Sequence, residues 1–204
     1  MFPADAFGRQ DTQEDGLFYT QPRKLVHIDE RAIASATKVY RQYLPETGAI
    51  LDLMSSWRSH LPPERPYARV AGLGMNAEEM ADNPQLSDYL VHDLNRDPQL
   101  PYDDATFDGA VCTVSVQYLT SPVAVFAEIG RVLRPGAPAI ITFSNRMFPT
   151  KAVAIWRSLS DADHCSLVAT YFAQSGAFAP ATALDASQRR GDPLYAVIAH
   201  TTIP

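Results

Sequence analysis

Apolar positions along the chain follow two rhythms. Compact apolar runs, the length of single strands, occur at Ala49–Leu53, Arg69–Leu73, Tyr89–Leu94, Phe107–Val114 and Ala137–Ser144, and again at about Phe178–Asp185 and Leu194–Thr201. Between them apolar residues return at helical spacing. Ile33, Ala36, Tyr40, Tyr43 and Leu44 make one stripe from Glu30 to about Leu44. Asp29 is placed to cap that helix, Ile28 and Ile33 to staple its first turn, and Pro45 and Gly48 to end it. Ser121-Pro122 opens a second helix, with Val123, Phe126, Ile129, Val132 and Leu133 on one side and Pro135-Gly136 as the stop. Thr150–Leu159 and Ser160–Gln174 also read as helices, the latter with Ser160 three residues before Asp163 and Gly176 behind it.

Continuous apolar strands alternating with helices predict a parallel sheet covered on both faces. Ala186–Pro193 is polar and carries no helical pattern, so the last two strands are expected to form an antiparallel hairpin. The early crossovers are short. Pro62, Pro63 and Pro66 confine any helix between the first two strands to about Ser56–Leu61, and the next, Ala77–Asp82, stops at Asn83-Pro84. The expected architecture is therefore α/β, a Rossmann-like sheet of seven strands, mostly parallel with a C-terminal antiparallel hairpin and helices on both faces. Residues 18–204 form one domain in this reading, and polar, patternless residues 1–17 form a loose arm.

Composition narrows the function classes. The chain has 204 residues, 46% of them hydrophobic and 20% charged, which suits one soluble α/β domain. A formal charge of −6 without clustered Lys or Arg argues against a nucleic-acid surface. No apolar run is long enough to cross a membrane, and the first residues lack the pattern of a secretory signal. Cys112 and Cys165 stand apart, without a disulfide framework, so a cytoplasmic setting is expected. His27, His60, His92, His164 and His200 share no ligand spacing, and no metal is expected.

The chemistry concentrates in two places. Ala49–Arg58 reads as a first strand holding one carboxylate, Asp52, and then a turn of Met54, Ser55, Ser56, Trp57 and Arg58 without a glycine. Downstream lie Asp93-Leu94-Asn95, Leu100-Pro-Tyr-Asp-Asp-Ala-Thr-Phe-Asp108, Val114 to Pro122, Phe126-Ala-Glu-Ile-Gly-Arg-Val-Leu-Arg-Pro-Gly136 and Ala139-Ile-Ile-Thr-Phe143. With an acid in the first strand and a closing hairpin, this series resembles the class I S-adenosylmethionine-dependent methyltransferases, in particular the small-molecule branch often called type 11. The likeness runs from about Phe18 to the C-terminus. It implies S-adenosylmethionine as cofactor, S-adenosylhomocysteine as product, and a small or medium-sized molecule as methyl acceptor. Two departures stand out. The family's Gly-x-Gly-x-Gly turn falls on Met54, Ser56 and Arg58, and the acid that ends its second strand falls on Gly74. The Leu53-Met-Ser-Ser-Trp57 pattern resembles a less studied bacterial and plastid subgroup.

S-adenosylmethionine lacks a pyrophosphate, so a glycine-free turn damages its site less than a dinucleotide site. Asp52 is placed to favour the ammonium, and Ser55, Ser56 and Arg58 to meet the carboxylate; the two serines serve equally as a helix cap. Met54 belongs to the same turn. Gly74 permits close backbone approach, Met75 could cover the adenine, and Asn76 either holds the ribose or caps the helix containing Glu79. Asp93 matches the position that, in the family, binds the adenine amino group, with Leu94 beside it; a loop cap is its other reading. Thr113 floors the pocket. The acceptor side is expected to draw on Tyr19, Gln117, Asn145 and Arg146, with Tyr118 and His60 as the groups available to the reacting proton. Two functions compete: methyl transfer to a small acceptor, and a non-catalytic module that has lost the cofactor and serves as a protein partner. An open, polar pocket separates the first from the second, since a dead pocket fills with apolar side chains.

Overall fold

The computed structural model describes residues 2–202. Successive strand residues serve opposite faces of a single sheet, which is what a period of two dictates. The strands are β1 (Ala49–Leu53), β2 (Arg69–Gly74), β3 (Asp88–Val91), β4 (Gly109–Thr113), β5 (Pro138–Phe143), β6 (Thr182–Asp185) and β7 (Tyr195–His200), in the order β3-β2-β1-β4-β5-β7-β6. β1 to β5 run parallel, with Leu51 between Ala71 and Ala110 and Val111 opposite Ile140. β7 lies antiparallel to both β5 and β6, so the closing pair forms the expected hairpin. The strand order reverses between β1 and β4, and the crevice at their carboxyl ends is where such sheets bind ligands.

The helices are α1 (Asp15–Phe18), α2 (Glu30–Tyr43), α3 (Ala77–Ala81), α4 (Pro122–Val132), α5 (Ala154–Ser158) and α6 (Asp161–Ser175). α2 lays Ala36, Val39 and Tyr40 against Ile50, Val70, Val111, Ile140 and Ile198 on one face of the sheet. α4 and α6 bring Phe126, Ile129 and Phe172 against Leu51, Leu53, Ala71, Cys112, Ile141 and Val197 on the other. Cutting the buried Phe126 to alanine would cost about 3–5 kcal/mol, mostly for the cavity left behind. Asp29 caps α2 by accepting from the Ala32 N–H at 2.9 Å, and Gly176 closes α6 at φ 72°.

Several expectations are corrected. Ser121 precedes α4 but makes no side-chain cap. The helix expected over Thr150–Leu159 shrinks to α5, because Lys151 and Val153 are drawn into other bonds. No helix forms in Ser56–Leu61, where Ser59 turns inward to Asp52 and the prolines keep the chain extended. β3 ends at Val91, which leaves Asp93 and Leu94 on a loop.

The N-terminal arm is docked rather than loose. Phe2 packs edge-on against both Phe7 and Tyr171, and the backbone N–H groups of Ala154 and Ile155 donate to the carbonyls of Gly8 and Ala6, both at 2.8 Å. Lys151 is wholly buried, with its ammonium 3.2 Å from Asp11, 3.1 Å from Asp15 and 2.8 Å from the Gln13 carbonyl. Arg9 forks onto Asp15 at 2.7 and 2.8 Å. Burial opposes the Asp15 charge, but Arg9, Asn95 and Lys151 outweigh it and hold the carboxyl below its usual range. The polar composition hid this packing: these charges are buried against one another, and buried ions persist only when so matched.

The downstream motif forms a latch on the same face of the sheet as α4 and α6. Arg131 donates to the carbonyls of Leu100 and Tyr102, each at 2.9 Å, and pairs with Glu128 and Asp104. Glu128 in turn accepts from the Leu100 N–H. Asp108 accepts from the Ala49 N–H at 2.8 Å and pairs with Arg134, which fixes the start of β4 beside β1.

Candidate functional site

The site is organised by one close backbone approach. The Ser55 N–H donates to the Leu73 carbonyl at 2.9 Å, so the turn after β1 folds across the end of β2. A Cβ on Gly74 would lie 2.2 Å from the Ser55 carbonyl oxygen. The glycine missing from the turn is supplied by the strand beneath it, and an acid at position 74 has no room. Met54 takes φ 55° without being a glycine, and His60 (56°) and Val114 (51°) also adopt the left-handed region. For a β-branched residue such as Val114 that backbone is costly, and strain of this kind gathers at functional sites. All three residues line a single cavity at the carboxyl ends of β1, β2 and β4.

Asp52 anchors the turn. One of its oxygens, Oδ2, accepts from Ser55 Oγ at 2.7 Å and Ser59 Oγ at 2.6 Å, and Asn83 donates to Ser59 behind them. Burial pushes the Asp52 carboxyl up to about 6, with the two hydroxyls pulling the other way. Ser56 donates to Glu79 Oε2 at 2.6 Å. Asn76 caps α3 by accepting from the Glu79 N–H at 3.0 Å, and its amide nitrogen donates to the carbonyls of Tyr19 (2.8 Å) and Thr20 (3.3 Å). The capping reading of Asn76 therefore prevails over the ribose reading, because both ends of the amide are occupied. Glu79, also buried, takes the position inside the cavity; it accepts from Ser56 and from the Arg23 N–H at 2.5 Å.

Asp93 accepts from the Asn95 N–H at 2.9 Å through Oδ1, and so shapes its own loop while lining the cavity. Asn95 ties that loop down, donating to Asp15 at 2.8 Å and the Tyr118 carbonyl at 3.0 Å. Thr113 hydrogen-bonds the hydroxyl of the buried Tyr40 at 2.6 Å, and Tyr40 reaches on to Thr142 at 2.8 Å. Met75 and Leu94 complete this end of the cavity.

The other end is aromatic. Phe148 meets Phe18, His27 and Tyr118 with ring centroids 5.4, 5.2 and 6.1 Å away, and its N–H donates to the Tyr118 hydroxyl at 2.8 Å. Tyr19, Trp57, Arg23, Arg58 and His60 also line the cavity. Burial raises the Tyr118 phenol, so it stays protonated at neutral pH and acts as a donor rather than a base. Burial, with Arg58 alongside, lowers His60 to about 4, which leaves the imidazole neutral and a weak base at neutral pH.

Every residue expected at the cofactor end lines this cavity, as do Tyr19, Tyr118 and His60. Three expected acceptor residues do not. Gln117 is buried and donates to the Val114 carbonyl. Asn145 is exposed, and Arg146 is turned outward onto Asp192 at 2.7 Å. Sequence reasoning passed over Asp15, Arg23, Glu79 and Asn95, whereas Phe148 lies at the cavity as the stretch after the fifth strand was expected to. For Glu79 the signal was present, since its spacing from Asn76 already placed it in the first turn of α3. Among the described residues no cluster of three or more His, Cys, Asp or Glu could hold a metal, and no helix is long and apolar enough to cross a membrane.

Residues 61–141, from the crossover between β1 and β2 into β5, match the family described as methyltransferase domain. Over these residues the chain is similar to the methyltransferase domain family. It is 36% identical over 76 residues to the methyltransferase PhqN of Penicillium fellutanum, covering 34% of this chain and 23% of that protein. The chain spans about a quarter of the length of the curated relatives it matches. Among solved structures, the S-adenosylmethionine-dependent methyltransferase of Mesorhizobium loti superposes with a TM-score of 0.56 at 16% identity, over 81% of this chain and 97% of that one. Haemonchus contortus phosphoethanolamine N-methyltransferase 2, solved with S-adenosylmethionine, gives 0.58 at 12% identity over 83% and 52%. At such identities the structural likeness speaks for the methyltransferase fold alone.

Proposed function

We propose that the cavity binds S-adenosylmethionine and that the protein methylates a small or medium-sized acceptor entering beside Phe148. The observation that carries this reading is the placement of Gly74 under the Ser55 carbonyl, which keeps the turn close-packed and the cavity open without a glycine in the turn itself. The groups around the cavity suit the ligand. Asp93, with Oδ2 unused by its loop, is the adenine partner, flanked by Met75 and Leu94. Glu79 stands in for the absent strand-end acid as the ribose partner, since each of its oxygens accepts one bond and can accept another. Arg58 and the Ser56 N–H face the carboxylate, while Asp52 acts chiefly by holding the turn.

When bound, S-adenosylmethionine supplies a methyl carbon that takes the acceptor's lone pair as its bond to sulfur breaks and that electron pair stays on sulfur. The protein's own part is orientation. Tyr118 can donate to an acceptor atom, and water can take a released proton, since the lowered pKa of His60 makes it a weak base. The competing reading, a non-catalytic partner module, draws on the internal use of Asn76 and of Asp52 Oδ2.

Calorimetric titration with S-adenosylhomocysteine separates the two. Micromolar binding, weakened at least tenfold by Asp93→Ala and by Glu79→Gln, supports the enzyme. No binding at millimolar ligand by the folded protein leaves the partner module.

A further inference from the structure

The charges lining the cavity are unequal in how they are satisfied. All four acids have partners: Asp15 has Arg9 and Lys151, Asp52 has two serines, Glu79 has Ser56 and the Arg23 N–H, and Asp93 has the Asn95 N–H. Among the described residues neither the Arg23 nor the Arg58 guanidinium has a carboxylate within 4.0 Å, although the chain as a whole carries a formal charge of −6. Arg58 lies over the Trp57 ring, 4.4 Å from its centroid, on the turn already assigned to the cofactor carboxylate. Arg23 is held elsewhere. Its guanidinium sits 3.9 Å above the Phe18 ring and 5.5 Å from Phe148, the aromatic end of the cavity, and its Nη1 is buried without a hydrogen-bond partner.

A buried guanidinium donor with no acceptor carries the full cost of its lost water. Stacking on aromatic faces orients the group but satisfies none of its N–H bonds. The backbone of Arg23 is fixed from below by Glu79, and its neighbours Tyr19 and Thr20 are fixed by Asn76. The donor is thus pre-positioned at the mouth of the acceptor end.

We infer that the methyl acceptor is an anionic molecule with an aromatic or flat apolar body, its carboxylate or phosphate held by Arg23 and its body between Phe148, Tyr19 and Tyr118. This rests on the methyltransferase reading above and names the substrate class for that same site. Two guanidinium groups then serve two anions: Arg58 the cofactor's, Arg23 the acceptor's.

The test is calorimetry on the full chain saturated with S-adenosylhomocysteine, using three probes that share one aromatic body: phenylacetate, phenyl phosphate and neutral phenylacetamide. At least one anion should bind at submillimolar concentration and the amide at least tenfold more weakly; which anion binds distinguishes carboxylate from phosphate. Arg23→Gln should weaken the anion at least tenfold, with the unfolding midpoint and S-adenosylhomocysteine affinity kept within about twofold, and Arg23→Lys should recover part of the loss. Equal binding of the amide, or no binding by any of the three, overturns the inference. So does loss of S-adenosylhomocysteine binding in Arg23→Gln, which would assign the guanidinium to the cofactor. Should the wild type fail to bind S-adenosylhomocysteine, the methyltransferase reading falls, and the same three titrations on the protein alone then decide whether Arg23 selects anions.

Discussion

The segment from Leu100 to Phe107 and the turn from Met54 to Arg58 play opposite parts in this molecule. The first, with the Phe126–Gly136 segment behind it, carries most of the family likeness, yet its bonds are internal: Arg131 grips the Leu100 and Tyr102 carbonyls, and none of residues 100–108 lines the cavity. The second departs from the family pattern at its glycines, yet all five of its residues face the cavity. The diagnostic motif is a structural latch, and the divergent turn lines the cavity proposed to hold the ligand. A family motif can therefore identify a fold while saying little about whether the site works.

Substitutions that confuse the two roles should have effects of different kinds. Gly74→Asp, which restores the family's strand-end acid, should have the largest. With a Cβ 2.2 Å from the Ser55 carbonyl, it should destabilise by about 3 kcal/mol or more in denaturant titration and should not improve S-adenosylhomocysteine binding. Improved binding would mean that the turn yields easily and that Gly74 is a lost acid rather than a transferred glycine. Arg131→Ala should come next, at about 2 kcal/mol for its charged hydrogen bonds, with S-adenosylhomocysteine affinity unchanged. A large loss of affinity would deny that the latch is only structural.

Asp52→Asn should act through pH. The folded carboxyl titrates at about 6 against 3.8 in the unfolded chain, so the folded state holds the proton between those values. That contribution is complete below the lower value and disappears as pH rises through the upper one. The difference in stability between Asp52→Asn and wild type should therefore shift in the variant's favour by about 2–3 kcal/mol from pH 4 to pH 7. A flat difference would show that the Ser55 and Ser59 hydroxyls compensate fully for burial.

Much of this was legible from residue patterns. β1 has the bounds its apolar run gives, and the cap at Asp29 and the stop at Gly176 are local signals that tertiary contacts do not override. Asp52, Met54, Ser55, Ser56 and Gly74 could be placed because strand ends in such a sheet converge, and Asp93 through the family resemblance. What stayed hidden depends on long-range pairing. Lys151 and Asp15 look like solvated charges until they meet across 136 positions of chain. Arg23 lies in a stretch without periodicity, so nothing local marks it as a cavity residue. Arg146 and Asn145 follow β5 as the expected acceptor residues do, but Asp192 on the hairpin loop draws Arg146 outward.

The central claim, that a glycine-free turn backed by Gly74 forms the working cofactor site, is met most directly by amide hydrogen exchange with and without saturating S-adenosylhomocysteine. The account predicts added protection in residues 53–59, 74–79 and 93–95, with little change in 100–108 and 131–136. Protection confined to the latch, or none anywhere at millimolar ligand, would contradict it.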